Sequence, residues 1–103
     1  MTIGAGNGAY LSSLNVTSDS FAFSQQIWDA NDLRRIRGIY IYNPSAAAVV
    51  GLSDMDGNNE FYTAYVLGSS YYNPIWSAEG FKPTNGLSVQ VSIPGVTVVL
   101  FYD

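Results

Sequence analysis

The chain has 103 residues, of which 48% are hydrophobic, 15% aromatic and only 12% charged, for a formal net charge of -4. That length holds one domain, and four Lys or Arg against eight Asp or Glu leave no basic stripe to neutralise nucleic-acid phosphates. With neither Cys nor His in the chain, zinc centres, thiol nucleophiles and histidine triads are excluded.

A domain this small buries only about 60–65% of the surface its unfolded chain exposes, and no disulfide staples it. It must fold on a modest core or draw stability from a partner. The opening MTIGAGNGAYLSSL carries no positive charge and no long apolar core, which reads against a signal peptide. Every apolar run is far short of the roughly 20 residues that span a bilayer. These features lead us to expect a soluble, non-secreted protein that does not meet a membrane.

Residues 1–14 contain Gly4, Gly6 and Gly8 and little to bury. The stretch reads either as a frayed terminus or as an arm that orders against a neighbour, with Ile3, Tyr10, Leu11 and Leu14 as anchors. The domain proper is expected over 15–103. From Val16 to Gln26 the period-two placement of Phe21 and Phe23 predicts a half-buried strand. IWDANDLRRIR then reads as an ordered loop, because Gly38 closes it before a helix can form.

GIYIYN, residues 38–43, predicts a strand with Ile39 and Ile41 on one face and Tyr40 and Tyr42 on the other. Pro44 and Ser45 break it, and AAAVVGL predicts the next strand. After the turn MDGNN, EFYTAYVL sets Phe61, Thr63, Tyr65 and Leu67 against Tyr62, Ala64 and Val66, with bulk on both faces. GSSYYNP reads as a loop, followed by a short strand at 75–78 and a second loop, EGFKPTNG. Leu87, Val89, Val91 and Ile93 alternate with Ser88, Gln90 and Ser92, and Pro94–Gly95 suits a type II turn into VTVVLFY. This predicts a terminal β-hairpin whose second strand is apolar on both faces. The fold class is therefore all-β: one small β-sandwich or jelly-roll-like domain of about seven strands.

Residues 1–50 are neutral, while Asp54, Asp56, Glu60, Glu79 and Asp103 against Lys82 supply the whole negative charge. Asp54, Asp56, Gly57 and Glu60 carry a cation-loop flavour, but a calcium loop of the EF-hand kind needs twelve residues and flanking helices. An Asp-Gly turn between strands accounts for them, so no metal is expected. No carboxylate pair has its geometry fixed, and no serine or threonine has an imidazole, so no catalytic set, cofactor or enzyme activity is expected. Asn15-Val16-Thr17 is a glycosylation sequon, expected to stay unmodified in a protein read as non-secreted.

The eight tyrosines are the informative excess. Tyrosine joins a large apolar area to a polar tip, the chemistry favoured at protein interfaces and sugar platforms. Tyr62, Tyr65, Tyr71, Tyr72 and Trp76 are candidate contact residues, and Leu100 joins them from the doubly apolar final strand. Charged substitutions at Tyr65 or Leu100 are expected to dissociate an oligomer built on residues 60–67 and 96–102.

The run from Ile36 to Tyr102 is also suggestive. Arg37, Ile39 and Asn43 lead into an alanine-rich strand and a D-x-D-G turn. Gly86, Leu87, Val89 and Val91 follow, and then Val96, Val98 and Tyr102 close the chain. This pattern resembles small all-β virion proteins of tailed bacteriophages, of the head decoration or cement kind. The resemblance implies a non-enzymatic structural role in the virion, assembled in the host cytoplasm. Its partner would be the major capsid protein or another virion protein, and the chain a homo-oligomer, such as a trimer, bracing the outer capsid surface. The same residues suit a tail, neck or fibre-associated module, and the aromatics alone would suit a carbohydrate-binding β-sandwich.

Overall fold

The computed structural model describes residues 12–18, 23–32, 34–74 and 79–103. The predicted strand at 75–78, the expected anchors Ile3, Tyr10 and Leu11 and the candidate contact residue Trp76 lie outside the described residues, as does Phe21.

The described residues form eight strands: β1 (Ser12–Thr17), β2 (Phe23–Trp28), β3 (Ile36–Asn43), β4 (Ala48–Ser53), β5 (Glu60–Val66), β6 (Ser70–Tyr72), β7 (Leu87–Val91) and β8 (Thr97–Tyr102). They make two four-stranded sheets, ordered β1-β8-β3-β6 and β2-β7-β4-β5, with every pairing antiparallel. The pairing is nested. The first strand lies beside the eighth, the second beside the seventh, the third beside the sixth and the fourth beside the fifth.

Period-two alternation decides which side chains meet between the sheets. Ile39 and Ile41 of β3, with Val98 and Leu100 of β8, share one core cluster with Val50 and Leu52 of β4 and Leu87 and Val89 of β7, and all eight are wholly buried. Trp28 closes one end of this core, its ring edge-on to Tyr102 at 5.3 Å between centroids. Residues of both sheets thus leave water together in one buried cluster, which is the main source of its stability.

Four expectations are corrected. The single strand over 16–26 is two strands, and the sheet begins at Ser12, inside the expected arm, where Leu14 pairs with Leu100 of the same chain. The segment IWDANDLRRIR is not wholly loop, since Ile27 and Trp28 end β2 and Ile36 begins β3. GSSYYNP contains β6, which pairs with the end of β3. The terminal hairpin is an arch: β7 pairs with β2 and β4, whereas β8 pairs with β1 and β3 in the other sheet.

Two serines hold the arch, one on each side of it. Ser92 stays with β4, its N–H donating to Val49 O while its hydroxyl accepts from Val49 N. Ser18 then receives the chain on the other side. Its N–H donates to Val96 O, its hydroxyl accepts from Val96 N and donates to Ile93 O, and its carbonyl accepts from Gly95 N. Gly95 takes the positive φ of 84° that the turn requires.

Gly86, just before β7, is under a tighter demand. Its φ is 69°, and a Cβ there would meet Trp28 O at 2.5 Å and Met55 Cβ at 2.7 Å. At Gly95 nothing lies within 4 Å of such an atom. Gly95→Ala is expected to cost only the left-handed backbone penalty, about 1–2 kcal/mol. Gly86→Ala adds a clash with backbone and is expected to cost more. Urea midpoints of the two variants check the ranking, and equal losses would contradict it.

Candidate functional site

The outward face of β1-β8-β3-β6 is built row by row from the strand register. Ser13, Phe101 and Gly38 form one row, Asn15, Val99 and Tyr40 the next, and Thr17, Thr97, Tyr42 and Tyr71 the third. None of these residues is charged. Their alternation partners Val16, Val98, Leu100, Ile39 and Ile41 are the buried side of the same strands.

Tyr71 is 69% exposed and Tyr42 47%, yet both sit in a regular sheet rather than on a loop. Tyr40 stacks on Tyr71 across the diagonal, with 5.9 Å between ring centroids and 22° between planes. Diagonal neighbours on one sheet face are within reach of aromatic side chains, so the register itself produces the stack. A Cβ at Gly38 would stand 3.8 Å from Phe101 Cδ2, an ordinary contact, so the Phe101 ring lies directly beside the β3 backbone. Thr17 and Thr97 join their hydroxyls at 3.0 Å at the β1 side. The result is a rigid aromatic surface with hydroxyl tips and a Ser/Thr/Asn border.

Charge is held at the margin. Arg37 donates through Nε to Asp103 Oδ1 at 3.2 Å, a partly exposed pair worth about 0–1 kcal/mol. Arg35 donates to Glu79 O at 2.7 Å, and Arg34 lies 3.9 Å from Asp32 while its guanidinium sits over the Tyr102 ring. The three arginines of the only basic cluster thus each have a contact within the chain.

The expected contact residues do not share one surface. Tyr71 belongs to the aromatic face, and Tyr72 beside it faces the Ile41 side at the sheet edge. Tyr65 is 81% exposed, but on the outer face of the other sheet. Tyr62, three residues earlier on the same strand, points inward and packs half-buried against the core. Leu14 is half-buried opposite Leu100. Leu100 itself is 0% exposed, so its place as a contact residue is overturned: it belongs to the buried core cluster. Val99 and Phe101 fall within the expected 96–102 surface, whereas Tyr40 and Tyr42 are not among the candidate contact residues, although the alternation of GIYIYN already sets them opposite Ile39 and Ile41.

The acidic turn between β4 and β5 is organised by Asp54, which is buried in the protein. One carboxylate oxygen accepts from the backbone N–H groups of Asp56 and Asn58, and the other accepts from the Asn59 side-chain amide. Gly57 supplies the positive φ of 77°. The Asn58 N–H, above all, holds the Asp54 carboxyl below its ordinary value, with the Asn59 and Asp56 donors adding to it against the opposing effect of burial. A lowered folded pKa stabilises the fold fully above the unfolded value of about 3.9, and that support fades as pH falls through the folded value. Wild type is therefore expected to lose Tm from about pH 5 downward more steeply than Asp54→Asn, a difference that calorimetry across the acid range reads. Parallel acid limbs would contradict it. Among the described residues no group of three or more His, Cys, Asp or Glu comes together, and no helix is long and apolar enough to cross a membrane.

Compared with known proteins, the chain matches no family model and no curated protein.

Proposed function

We propose that the chain is a non-enzymatic structural protein of a virion, a capsid decoration or cement protein that docks through the aromatic face of β1-β8-β3-β6. The observation that carries this reading is the uncharged face set by Tyr40, Tyr42, Tyr71, Val99 and Phe101. Interface cores are depleted of charge and enriched in aromatic residues, and a partner that covers this face buries no unpaired ion. The tyrosine tips keep it soluble while it is uncovered.

The architecture fits the same reading. We take the two sheets as a β-sandwich of jelly-roll kind, supported by the nested pairing and the shared core. Jelly rolls recur in viral shells and in lectins, so the fold raises the expectation without deciding the role. A four-stranded face is about 20 Å across, or roughly 400 Å² in projection, about half of what each partner gives to a standard interface. A single copy then binds weakly, and copies joined in an oligomer such as a trimer bind by avidity. This favours a homo-oligomer seated on the major capsid protein.

The test is add-back to particles that lack the protein. Wild type is expected to saturate many sites spread over the shell. Tyr42→Asp and Tyr71→Asp, both at exposed positions, are expected to stay folded and to lose at least about ten-fold in affinity, as loss of an interface hot spot does. Retention confined to one small ring of copies would point to a tail or neck module instead, and undiminished binding of both variants would overturn the docking face.

A further inference from the structure

The opposite sheet carries a different kind of surface. Thr63, Gly51, Gln90 and Ser24 form one row across its outer face, one residue from each strand. Gly51 omits a side chain in the middle of that row, and a hollow of about 500 Å³ opens above it between Glu60, Gln90, Ser24 and Ser92. A second hollow of about 360 Å³ lies at the end of the sheet, between the β4–β5 turn and residues 81–86, with Phe81, Asn59 and Asn85 in its wall. Glu60 lines both.

The polar groups are already positioned. Glu60 accepts a short hydrogen bond from Thr63 Oγ1, and Gln90 Nε2 donates to Ser53 Oγ at 2.6 Å. Phe81 is held by stacking on Phe61, with centroids 4.3 Å apart, and remains 38% exposed. Groups fixed before a ligand arrives lose little freedom on binding.

The chemistry selects the ligand class. No Lys or Arg lines either hollow, whereas Glu60 lines both and Asp54 the second, so phosphate, sulfate and carboxylate ligands are repelled. An apolar ligand would strip water from the Glu60 carboxylate and leave it only the Thr63 hydroxyl. Adjacent hydroxyls of a neutral sugar pair with the carboxylate and amides, and the C–H face of its ring lies on Phe81. We propose that this cleft binds a neutral oligosaccharide, with Glu60 at its centre, Gly51 and Gln90 in one arm and Phe81 and Asn85 in the other.

The proposal does not rest on capsid docking, which uses the other sheet. Its test is a printed array of neutral, sialylated and sulfated glycans probed with the full chain, followed by calorimetry on the glycans retained. Neutral oligosaccharides are expected to bind. Gly51→Val fills the first hollow, and Asn85→Ala removes a head whose side chain makes only a 3.5 Å contact with Asp56. Each is expected to weaken binding about ten-fold, the scale of one lost hydrogen bond, with Tyr71→Asp leaving it unchanged. A Cβ at Gly51 meets the Glu60 carboxylate, so Gly51→Val also displaces the group at the centre of the cleft. If Gly51→Val lowers Tm, Asn85→Ala alone carries the test. Retention of no neutral glycan, retention of charged glycans only, or full binding by Asn85→Ala would overturn the proposal.

Discussion

Replacing Asn43 with leucine is expected to cost about 3–5 kcal/mol, among the largest effects of any single change in the chain. Asn43 ends β3 with no exposure to solvent. Its amide nitrogen donates to Ala46 O at 2.7 Å, Val66 O at 3.2 Å and Leu67 O at 3.3 Å, and its oxygen accepts from Ser45 N at 3.0 Å. One side chain thus ties the turn after β3 to the end of β5. Leucine is close in size but leaves three carbonyls and an N–H without this partner, and each buried unpaired group costs about 1–3 kcal/mol, less where water reaches it. Asn43→Asp is the sharper form of the test. At neutral pH it turns a carboxylate toward three carbonyl oxygens, so it is expected to be at least as damaging, with partial recovery in acid when the carboxyl can donate. Urea unfolding of both variants measures this, and a loss below about 1 kcal/mol would mean that the turn holds without Asn43.

Leu100→Ala is expected to cost about 2–5 kcal/mol, and Leu100→Asp to leave no folded protein at neutral pH. Leu100 lies between Leu14 and Ile39 in its own sheet and inside the core shared with the other. Truncation opens a cavity that two sheets cannot close without shifting their register. Aspartate would put a charge where no donor or cation waits. Tyr65→Asp is the control, because that residue is exposed on β5 and its replacement leaves the core intact. Denaturant curves and near-ultraviolet circular dichroism of the three variants separate the cases. A folded Leu100→Asp protein would contradict this account of the core.

Much of the strand content is legible in the sequence, and the reason is local. Ile39 and Ile41 against Tyr40 and Tyr42, or Leu87, Val89 and Val91 against Ser88 and Gln90, fix faces by alternation alone. Neighbours are another matter. Pro94–Gly95 between two apolar strands reads the same whether the strands pair in one sheet or cross between two. The crossing is decided by Ser18, nearly eighty residues upstream, through its bonds to Ile93 and Val96. A three-residue strand such as β6 has too little pattern to stand out from GSSYYNP, and it forms because the β3 edge is there to pair with.

The same limit explains the contact residues. In VTVVLFY both faces are apolar, so the sequence does not distinguish Leu100 from Val99. Pairing of Leu100 with Ile39, and of Val99 with Tyr40, sends one inward and the other out. Tyr65 and Tyr71 look alike as exposed tyrosines, yet the sheet order puts them on opposite outer faces. Only the assembled register gathers Tyr40, Tyr42 and Tyr71 into one surface and leaves Tyr65 beside Val49 on the other sheet.

The most direct test of the proposed docking face is hydroxyl-radical footprinting of the tyrosines, read by mass spectrometry on the free protein and on the protein bound to particles. Binding through β1-β8-β3-β6 predicts that Tyr42 and Tyr71 become protected while Tyr65 stays as reactive as in the free chain. Protection of Tyr65 with Tyr42 and Tyr71 still reactive would contradict it, and would place the contact on the opposite sheet.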